Sequence, residues 1–272
     1  MAEKKIKLVA IQLGSVIANK DENIRKAKRL MEENLLYRSA DFVFLPEVWT
    51  SGWDCPSFND CAESLDNAES VSMLKTMAKN FGVNIIGGSF IEKKADGTLR
   101  NTCPVINRAG EIVCTYEKNH LFSYYGCAEG NYITKGEFPV MVELDGVKLG
   151  LTICYDIRFP EIYRAYRKAG ADILVNMAAW GAEKKIPWDS MTTSRAVENQ
   201  TYFVALTQTG ALREGRNLGH SMIMDYKGDI ISEINEVEGG IFAEVNLDEM
   251  YSFREKCRVL EDIKDSYEVV IK

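Results

Sequence analysis

Three side chains of complementary chemistry follow apolar segments of this 272-residue chain, each where a strand is predicted to end. Glu47 comes after FVFLP, Lys118 after IVCTYE and Cys154 after KLGLTI. A thiol can attack an electrophilic carbon, a carboxylate can carry its proton, and an ammonium group can stabilise the oxyanion that forms. Together these residue types fit the cleavage of an amide or a related carbon-nitrogen bond.

The segment LTICYDIRFPE, residues 151–161, predicts a turn from strand to helix at Cys154. Such a turn exposes the thiol and places it near the positive end of the helix and the Tyr155 backbone N–H. A nearby ammonium group favours the thiolate and a nearby carboxylate opposes it, so a preformed thiolate and proton transfer to Glu47 during attack both stay open. Taken singly, Cys154 also fits core packing, and Glu47 and Lys118 fit a solvated surface.

Composition and charge narrow the class of partner. A net charge of −7 and a pI of about 5.2 give no bulk attraction to nucleic acid or to an anionic membrane, so a small-molecule substrate is favoured. No apolar run is long enough for a transmembrane helix, and the start MAEKKIKLVAIQL passes from charges directly into an alternating strand pattern. We therefore expect a cytoplasmic protein.

The cysteines and histidines argue against a metal centre. The seven cysteines are scattered and never spaced as CxxC, which is typical of reduced thiols rather than of a disulfide framework or a zinc site. His120 and His220 are the only histidines, so few residues could serve as the base of a Ser-His-Asp triad or as the ligands of a His-rich metal centre. The sequence therefore predicts no metal centre.

The elements that must position the three residues alternate between strand and helix in two parts of the chain. Strands are predicted at 5–13, 41–46, 83–92, 172–177 and 201–208, and helices from Asn23 and over 70–81, 160–169 and 188–199. Between these parts, Asp96-Gly97, Ala109-Gly110 and Asp145-Gly146 predict hairpins. Three strands with a turn at Lys227-Gly228 and a helix at 247–257 follow. No linker or repeat divides residues 1–272, so we expect a single α/β domain with a tail over 259–272.

Several motifs in order extend the pattern over nearly the whole chain. They are PEVW around Glu47, YEKNHLF around Lys118, ICYDIRFPE around Cys154, NMAAW at 176–180, SRAVENQ at 194–200 and GHSMI at 219–223. With these motifs the chain resembles the nitrilase superfamily of carbon-nitrogen hydrolases. The resemblance implies a four-layer α-β-β-α sandwich, a homodimer formed through the helical face that carries the nucleophile, and hydrolysis of nitriles, amides or N-carbamoyl groups without a cofactor.

The resemblance also implies roles for individual residues. Glu47 becomes the general base, Lys118 the group that stabilises the tetrahedral intermediate, and Cys154 the nucleophile. The second glutamate of the family maps onto Glu129, where it would orient Lys118 and the substrate; a surface carboxylate is the alternative for this position.

Substrate contacts are expected around this catalytic group. The candidates are Tyr155, Tyr124, Ala178, Trp180 and Arg158. Arg158 fits a substrate carboxylate, although an arginine at this place also fits a structural ion pair, and buried tryptophans are common core residues. The loop SYYGCA at 123–128 is shorter than in many amidases of the family, so Tyr124 and Tyr125 are expected to reshape the mouth of the pocket.

The overall likeness is greatest to omega-amidase-like members, which remove the terminal amide of small dicarboxylate monoamides such as 2-oxoglutaramate. An N-carbamoyl-amine amidohydrolase and a nitrilase stay open within the superfamily. Outside this chemistry, the alternatives are a non-catalytic binding protein of the same fold and a thiol redox protein that pairs Cys154 with a second cysteine. The apolar end SYEVVIK, at 266–272, is expected to pack on a partner subunit.

Overall fold

Two β-sheets packed against each other form the centre of the protein in a computed structural model that describes residues 3–124, 127–264, 266 and 268–272. In chain order the strands are β1 (Lys5–Gln12), β2 (Phe42–Phe44), β3 (Asn84–Ile86), β4 (Phe90–Lys93), β5 (Leu99–Ile106), β6 (Ile112–Glu117), β7 (Val140–Leu144), β8 (Val147–Ile153), β9 (Ile173–Ala178), β10 (Tyr202–Thr207), β11 (Ser221–Met224), β12 (Ile230–Ile234) and β13 (Gly239–Asn246). The α-helices are α1 (Lys20–Leu35), α2 (Phe58–Cys61), α3 (Glu69–Phe81), α4 (Pro160–Lys168), α5 (Lys185–Asn199) and α6 (Leu247–Lys256).

Both sheets are mixed. The first has the order β13-β1-β2-β3-β5-β4, with β6 paired to β5, and its β1, β2 and β3 run parallel. The second has the order β12-β11-β10-β9-β8-β7, and its β8, β9 and β10 run parallel. Because carboxyl ends of neighbouring parallel strands share an edge, β2 in one sheet and β8 and β9 in the other deliver their following residues to a common region.

Side-chain alternation on the strands shows the layers. On β2, Phe42 and Phe44 join the core shared by the two sheets, whereas Val43 packs with apolar residues of α1 and α3. On β8, the hydroxyl oxygen of Thr152 lies 2.6 Å from the Tyr163 hydroxyl of α4, so this face meets the helices. The predicted four-layer α-β-β-α sandwich is therefore confirmed.

The predicted strand over 83–92 is wrong as a single element. It divides into β3 and β4, which pair with successive parts of β5, and the break falls at Gly87 and Gly88. Gly88 has a φ of +65°, and a Cβ there would lie 2.2 Å from the Pro46 carbonyl oxygen. The chain leaves the strand path because it must pass against the backbone that precedes Glu47.

The other predicted elements differ from the structure mainly at their ends. Helix α3 ends at Gly82 in the left-handed conformation, as its position predicts, and α5 begins at Lys185 rather than at residue 188. Helix α4 does not begin directly after Cys154, because the 3-10 helix Cys154–Arg158 comes between.

The tail after α6 contains a 3-10 helix, Val259–Asp262, and strongly exposed apolar residues at Val269, Val270 and Ile271. Residues 265 and 267 of the predicted tail lie outside the described residues. In the part of the chain that is described, no helix combines the length and the apolar character needed to cross a membrane.

Candidate active site

Cys154 is the first residue after β8 and opens the 3-10 helix Cys154–Arg158. Its φ of +47° is uncommon for a residue with a side chain, and the surrounding structure must hold it there. The side-chain amide of Asn176, on the neighbouring strand β9, donates to the Cys154 carbonyl oxygen at 3.4 Å and to the Thr152 hydroxyl at 2.9 Å. The turn from strand to helix is therefore anchored by the second sheet.

The expected exposure of the Cys154 thiol is wrong, since only 7% of the residue is exposed. Aromatic side chains close over this end of the sandwich. Tyr155 meets Phe122 edge-to-face at 5.5 Å, and Phe122 meets Trp53 in the same way at 6.4 Å. The apolar cover removes water from the thiol, which strengthens every electrostatic interaction below it.

Glu47, Lys118 and Glu129 form a buried ion cluster with almost no exposed surface. The Lys118 Nζ atom donates to Glu47 Oε1 at 2.8 Å and lies 3.0 Å from both carboxylate oxygens of Glu129. The Phe122 backbone N–H also donates to Glu129, at 2.6 Å. This burial excludes the surface alternatives for all three residues, and the ion pairs compensate the cost of burying their charges.

Two further groups fix the Glu47 carboxylate. The Asn101 side-chain amide donates to Oε1 at 3.0 Å, and the Ala179 backbone N–H donates to Oε2 at 2.8 Å. Sequence reasoning missed both. The available signal for Asn101 was a polar residue within the predicted strand NTCPVIN, whereas a backbone N–H such as that of Ala179 leaves no trace in residue type.

Burial and neighbouring charges set the protonation of the cluster. Burial lowers the pKa of Lys118, but the carboxylates of Glu129 and Glu47 outweigh it and hold that pKa well above the usual value. Burial raises the pKa of Glu129 despite the attraction of Lys118. Burial and the Glu47 charge raise the pKa of Cys154 well above its usual value, and Lys118 offsets only part of this. Lys118 is thus an ammonium group, and the thiol is neutral at pH 7.

An inner cavity of about 60 Å³ is lined in part by Cys154. Its walls include four predicted site residues, Cys154, Tyr155, Arg158 and Trp180, together with Trp53, Phe122, Ala179, Gly181, Lys184 and Leu212. Trp53 also covers Lys118, whose Nζ lies 4.8 Å from the ring centroid. Trp53, Ala179 and Lys184 were not identified from the sequence.

Arg158 is the notable polar group of this cavity. Its guanidinium carbon lies 5.4 Å from the Trp180 ring centroid, which fits a cation-π contact. Its Nε atom is buried and has no hydrogen-bond partner among the described residues. The structural ion pair that the sequence left open for Arg158 is not observed there.

Two expected contacts lie elsewhere. Ala178 is fully buried in the core, and the next residue, Ala179, lines the cavity instead, because successive strand residues face opposite sides. Tyr124 is 53% exposed and is not part of the cavity wall, and its ring lies 5.7 Å from that of Tyr155. Tyr125, the second tyrosine of the predicted loop, lies outside the described residues.

A wider vestibule of about 630 Å³ adjoins the inner cavity and shares Trp53, Phe122, Lys184 and Leu212 with it. Cys127 and Ala128, from the short loop after Phe122, form part of its wall. The wall of the vestibule also carries Arg213, whose side chain is 67% exposed and is paired with Asp54 at 2.7 Å.

The contacts of the cysteines do not favour a redox pair at the site. Within the described residues, which include all seven cysteines, the contact between two thiols joins Cys55 and Cys127 at 3.9 Å and leaves Cys154 out. The described part of the chain also contains no group of three or more His, Cys, Asp or Glu side chains arranged to hold a metal ion.

Comparison with known proteins identifies the family. The chain is 37% identical over 247 residues to the 2-oxoglutaramate amidase of Bacillus subtilis, covering 90% of this chain and 93% of that protein. It is 33% identical over 276 residues to the deaminated glutathione amidase of Dictyostelium discoideum, covering 95% and 94%. The crystal structure of Saccharomyces cerevisiae Nit3, from branch 10 of the nitrilase superfamily, superposes with a TM-score of 0.86 at 28% identity over 93% of this chain and 94% of that one. Residues 7–255 match the carbon-nitrogen hydrolase family, and the chain belongs to that family.

Proposed function

We propose that this carbon-nitrogen hydrolase is a cysteine-dependent omega-amidase, which removes ammonia from the terminal amide of a small dicarboxylate monoamide such as 2-oxoglutaramate. Cys154 is the nucleophile, Glu47 the proton carrier, and Lys118 the group that stabilises the oxyanion. Glu129 orients Lys118. The similarity to a 2-oxoglutaramate amidase over most of both chains supports this choice of substrate.

The charge of the inner cavity is the observation that carries the proposal. Arg158 and Lys184 line it, and none of the described lining residues is a carboxylate, although Lys184 pairs with Glu183 on the wall of the vestibule. Arg158 lines the same cavity as Cys154, and its buried Nε atom has no hydrogen-bond partner among the described residues. A carboxylate at the far end of a short amide would satisfy this guanidinium group, whereas a neutral amide would leave it unpaired.

Acylation begins with a neutral thiol. The Cys154 sulfur attacks the amide carbon while its proton passes to Glu47, and the carbonyl oxygen becomes an oxyanion that Lys118 and the Tyr155 backbone N–H stabilise. Glu47 then gives the proton to the departing nitrogen. Ammonia leaves, and a thioester joins the substrate acyl group to Cys154.

Hydrolysis of the thioester uses Glu47 as proton carrier a second time. Glu47, again a carboxylate, takes a proton from water as the water oxygen attacks the thioester carbon. Collapse of the second tetrahedral intermediate returns the proton to the sulfur and releases the dicarboxylic acid. The contacts of Glu47 with Lys118, Asn101 and the Ala179 N–H hold its oxygens in place through both steps.

Ammonia release from dicarboxylate monoamides, N-carbamoyl amines and nitriles tests the proposed function. We expect the monoamides to give the highest kcat/KM, and Cys154→Ala to abolish turnover while leaving the fold intact by circular dichroism. With the wild-type enzyme, an acyl adduct on Cys154 in rapidly quenched samples would exclude a non-catalytic binding protein. Turnover by Cys154→Ala, or higher kcat/KM for a nitrile, would overturn the assignment.

The role of Arg158 is tested by changing one charge and comparing two substrates. Arg158→Gln should raise KM for the dicarboxylate monoamide about 10- to 100-fold, since a hydrogen bond between charged groups contributes about 1.5–3 kcal/mol. The kcat/KM for a neutral amide of equal length should change little. Arg213→Gln, at the exposed side of the vestibule, is the matched control. Equal losses on both substrates would show that Arg158 does not select the carboxylate.

The vestibule favours a second candidate substrate. A space of about 630 Å³ outside the inner cavity can hold the remainder of a longer amide. A relative at 33% identity is a deaminated glutathione amidase, so deaminated glutathione belongs in the substrate panel. A higher kcat/KM for it than for 2-oxoglutaramate would assign the enzyme to this longer substrate.

We further propose that the chain forms one domain with a C-terminal tail and acts as a homodimer in the cytosol. The exposed apolar residues Ile186 and Val197 of α5 and Val269, Val270 and Ile271 of the tail support a second copy as partner. The free state of all seven cysteines supports a reducing compartment. Light scattering of the chain truncated after residue 258 tests the tail: an unchanged dimer mass would remove the tail from the interface.

A further inference from the structure

We infer that Asp156 is a positioning residue, which ties the turn that carries Cys154 to the strand end that carries Lys118. Through these ties it sets the placement of the nucleophile relative to the ammonium group. The inference deepens the proposed function and rests on it for the roles of Cys154 and Lys118. Asp156 itself is fully buried and lies two residues beyond Cys154.

On the side of the nucleophile, Asp156 closes the turn. Its Oδ2 atom accepts the backbone N–H of Ile153 at 2.9 Å, so the carboxylate reaches back over Cys154 to the last residue of β8. This bond satisfies the N-cap N–H at the start of the 3-10 helix, as the acidic residue of a capping box does, although Ile153 has no side-chain acceptor to complete the box. It helps to hold the left-handed backbone of Cys154, which is unfavourable unless the surroundings enforce it.

On the side of the ammonium group, Asp156 contacts residues on both sides of Lys118. Tyr116, two residues before Lys118, donates its hydroxyl to Oδ2 at 2.6 Å. His120, two residues after, donates its backbone N–H to Oδ1 at 2.9 Å, and its Nδ1 atom lies 2.7 Å from the same oxygen. The backbone that carries Lys118 is therefore held at two points by one carboxylate.

The strength of these contacts suits a positioning role. Hydrogen bonds to a buried carboxylate are short and directional, and four donor atoms surround the two oxygens of Asp156. Tyr116 is fully buried, and its burial and the Asp156 charge raise its pKa well above the usual value, so the phenol stays a donor. The ring of His120 stacks on Phe159 at 3.7 Å, which restrains the remaining donor.

The groups that Asp156 connects are carried by different sheets. Glu47 and Lys118 follow strands of the first sheet, and Cys154 follows a strand of the second. Lys118 is bound to Glu47 and Glu129, so loosening its strand end would move the ion cluster relative to the sulfur without breaking it. Ground-state binding in the cavity would change little, whereas the step that forms the oxyanion would slow.

Single hydroxyl deletions test this inference with a matched control. Tyr116→Phe removes one bond to Asp156 and should lower kcat on the order of tenfold, with KM changed less than about twofold, since small misplacements affect the transition state most. Asp156→Asn should lower kcat on the order of 100-fold. Tyr202→Phe is the control, because within the described residues its buried hydroxyl bonds to the Asn246 backbone, far along the chain from both Cys154 and Lys118.

A measurement without substrate separates this inference from the proposed function. Lys118 lowers the pKa of Cys154, so its displacement should move the alkylation profile of Cys154 with iodoacetamide to higher pH in Tyr116→Phe but not in Tyr202→Phe. If Tyr116→Phe and Tyr202→Phe have the same kcat and the same alkylation profile, the inference is overturned. This comparison decides the question even if Asp156→Asn does not fold. A wild type that releases no ammonia from any amide contradicts the proposed function, and the alkylation profiles still decide the role of Asp156.

Discussion

At the scale of single residues, Cys154 is subject to opposing influences on its pKa. Burial and the Glu47 carboxylate raise it, and the Lys118 ammonium group lowers it by less. The balance favours a neutral thiol in the free enzyme, and hence proton transfer to Glu47 during attack over a preformed thiolate. In the proposed mechanism, Cys154 is therefore activated when a substrate is in place, rather than in advance.

Glu47→Gln should therefore slow amide turnover while it makes the Cys154 thiol more reactive. The change removes a proton carrier, so amide turnover should fall at least 100-fold, a typical contribution of general acid-base catalysis. The same change removes a charge that raises the pKa of Cys154, so the thiolate fraction rises and alkylation by iodoacetamide at pH 7 should become faster. Peptide mapping by mass spectrometry, with Cys154→Ser as the unlabelled control, measures the rate at this site. Slower alkylation would contradict the proposed direction of the Glu47 effect.

Lys118→Met should lower the free energy of unfolding, and the loss should become larger as the pH rises. Burial already raises the pKa of Glu129 beside Lys118, and without the ammonium group this carboxyl must be protonated to stay buried. A carboxyl whose folded pKa lies above its unfolded value of about 4.3 contributes stability at low pH and loses it as pH rises through the folded pKa. The expected loss is about 3–5 kcal/mol at pH 8 and much less at pH 4.

Urea unfolding at pH 4, 6 and 8 measures this dependence. Lys5→Met is the matched control, because Lys5 pairs with Glu244 and Glu3 at the exposed surface. A surface pair of this kind contributes less than about 1 kcal/mol, so its removal should show little pH dependence. Equal pH dependence in the two variants would mean that Lys118 does not compensate the buried carboxylates.

At the scale of elements, strand ends were the predictable part of the site. Apolar runs that stop at Glu47, Lys118 and Cys154 place these residues after β2, β6 and β8, as observed. Asn101, Trp53 and the Ala179 N–H could not be identified, because their roles depend on which backbone and ring surfaces meet between strands distant in sequence. The exposure of Cys154 was mispredicted for the same reason, since the covering aromatic residues come from separate loops.

The break between β3 and β4 supports the strand end that carries Glu47. The Ser89 backbone N–H donates to the Pro46 carbonyl oxygen at 3.0 Å, and the Ser89 hydroxyl accepts the Val48 N–H at 2.9 Å. The backbone is thus fixed on both sides of Glu47. Gly88 permits this approach because no side chain stands between it and Pro46.

Gly88→Ala should consequently impair both stability and catalysis. The positive φ and the close approach together should cost about 2–5 kcal/mol, and displacement of the Pro46 backbone should lower kcat through Glu47. Gly97→Ala is the matched control, with a φ of +83° and no atom within 4 Å of the new Cβ, and should cost about 1–2 kcal/mol without changing kcat. Chemical denaturation and steady-state kinetics compare the two. Equal effects would show that conformational strain alone, and not contact with Pro46, accounts for the loss.

At the scale of the whole molecule, the site depends on how the two sheets stack. Glu47 and Lys118 belong to the first sheet, Cys154 and the Ala179 N–H to the second, and the bond from Ala179 to Glu47 crosses between them. The apolar core between the sheets therefore sets the spacing of the proposed catalytic groups as well as the stability of the fold. The core between the first sheet and its helices α1 and α3 contributes stability without setting that spacing.

Two leucine truncations should distinguish these contributions. Leu149 of β8 is fully buried in the core that the sheets share, and Leu74 of α3 is equally buried in the core beneath the helices. Each change to Ala should lower the free energy of unfolding by about 2–5 kcal/mol. Only Leu149→Ala should also lower kcat, because relaxation into the cavity changes the distance between sheets, and a displacement of about 1 Å can slow a reaction 100-fold. The kcat values are measured well below the melting temperature of each variant. Equal values would mean that the sheets keep their spacing without Leu149, and that local contacts such as those of Asp156 hold the site.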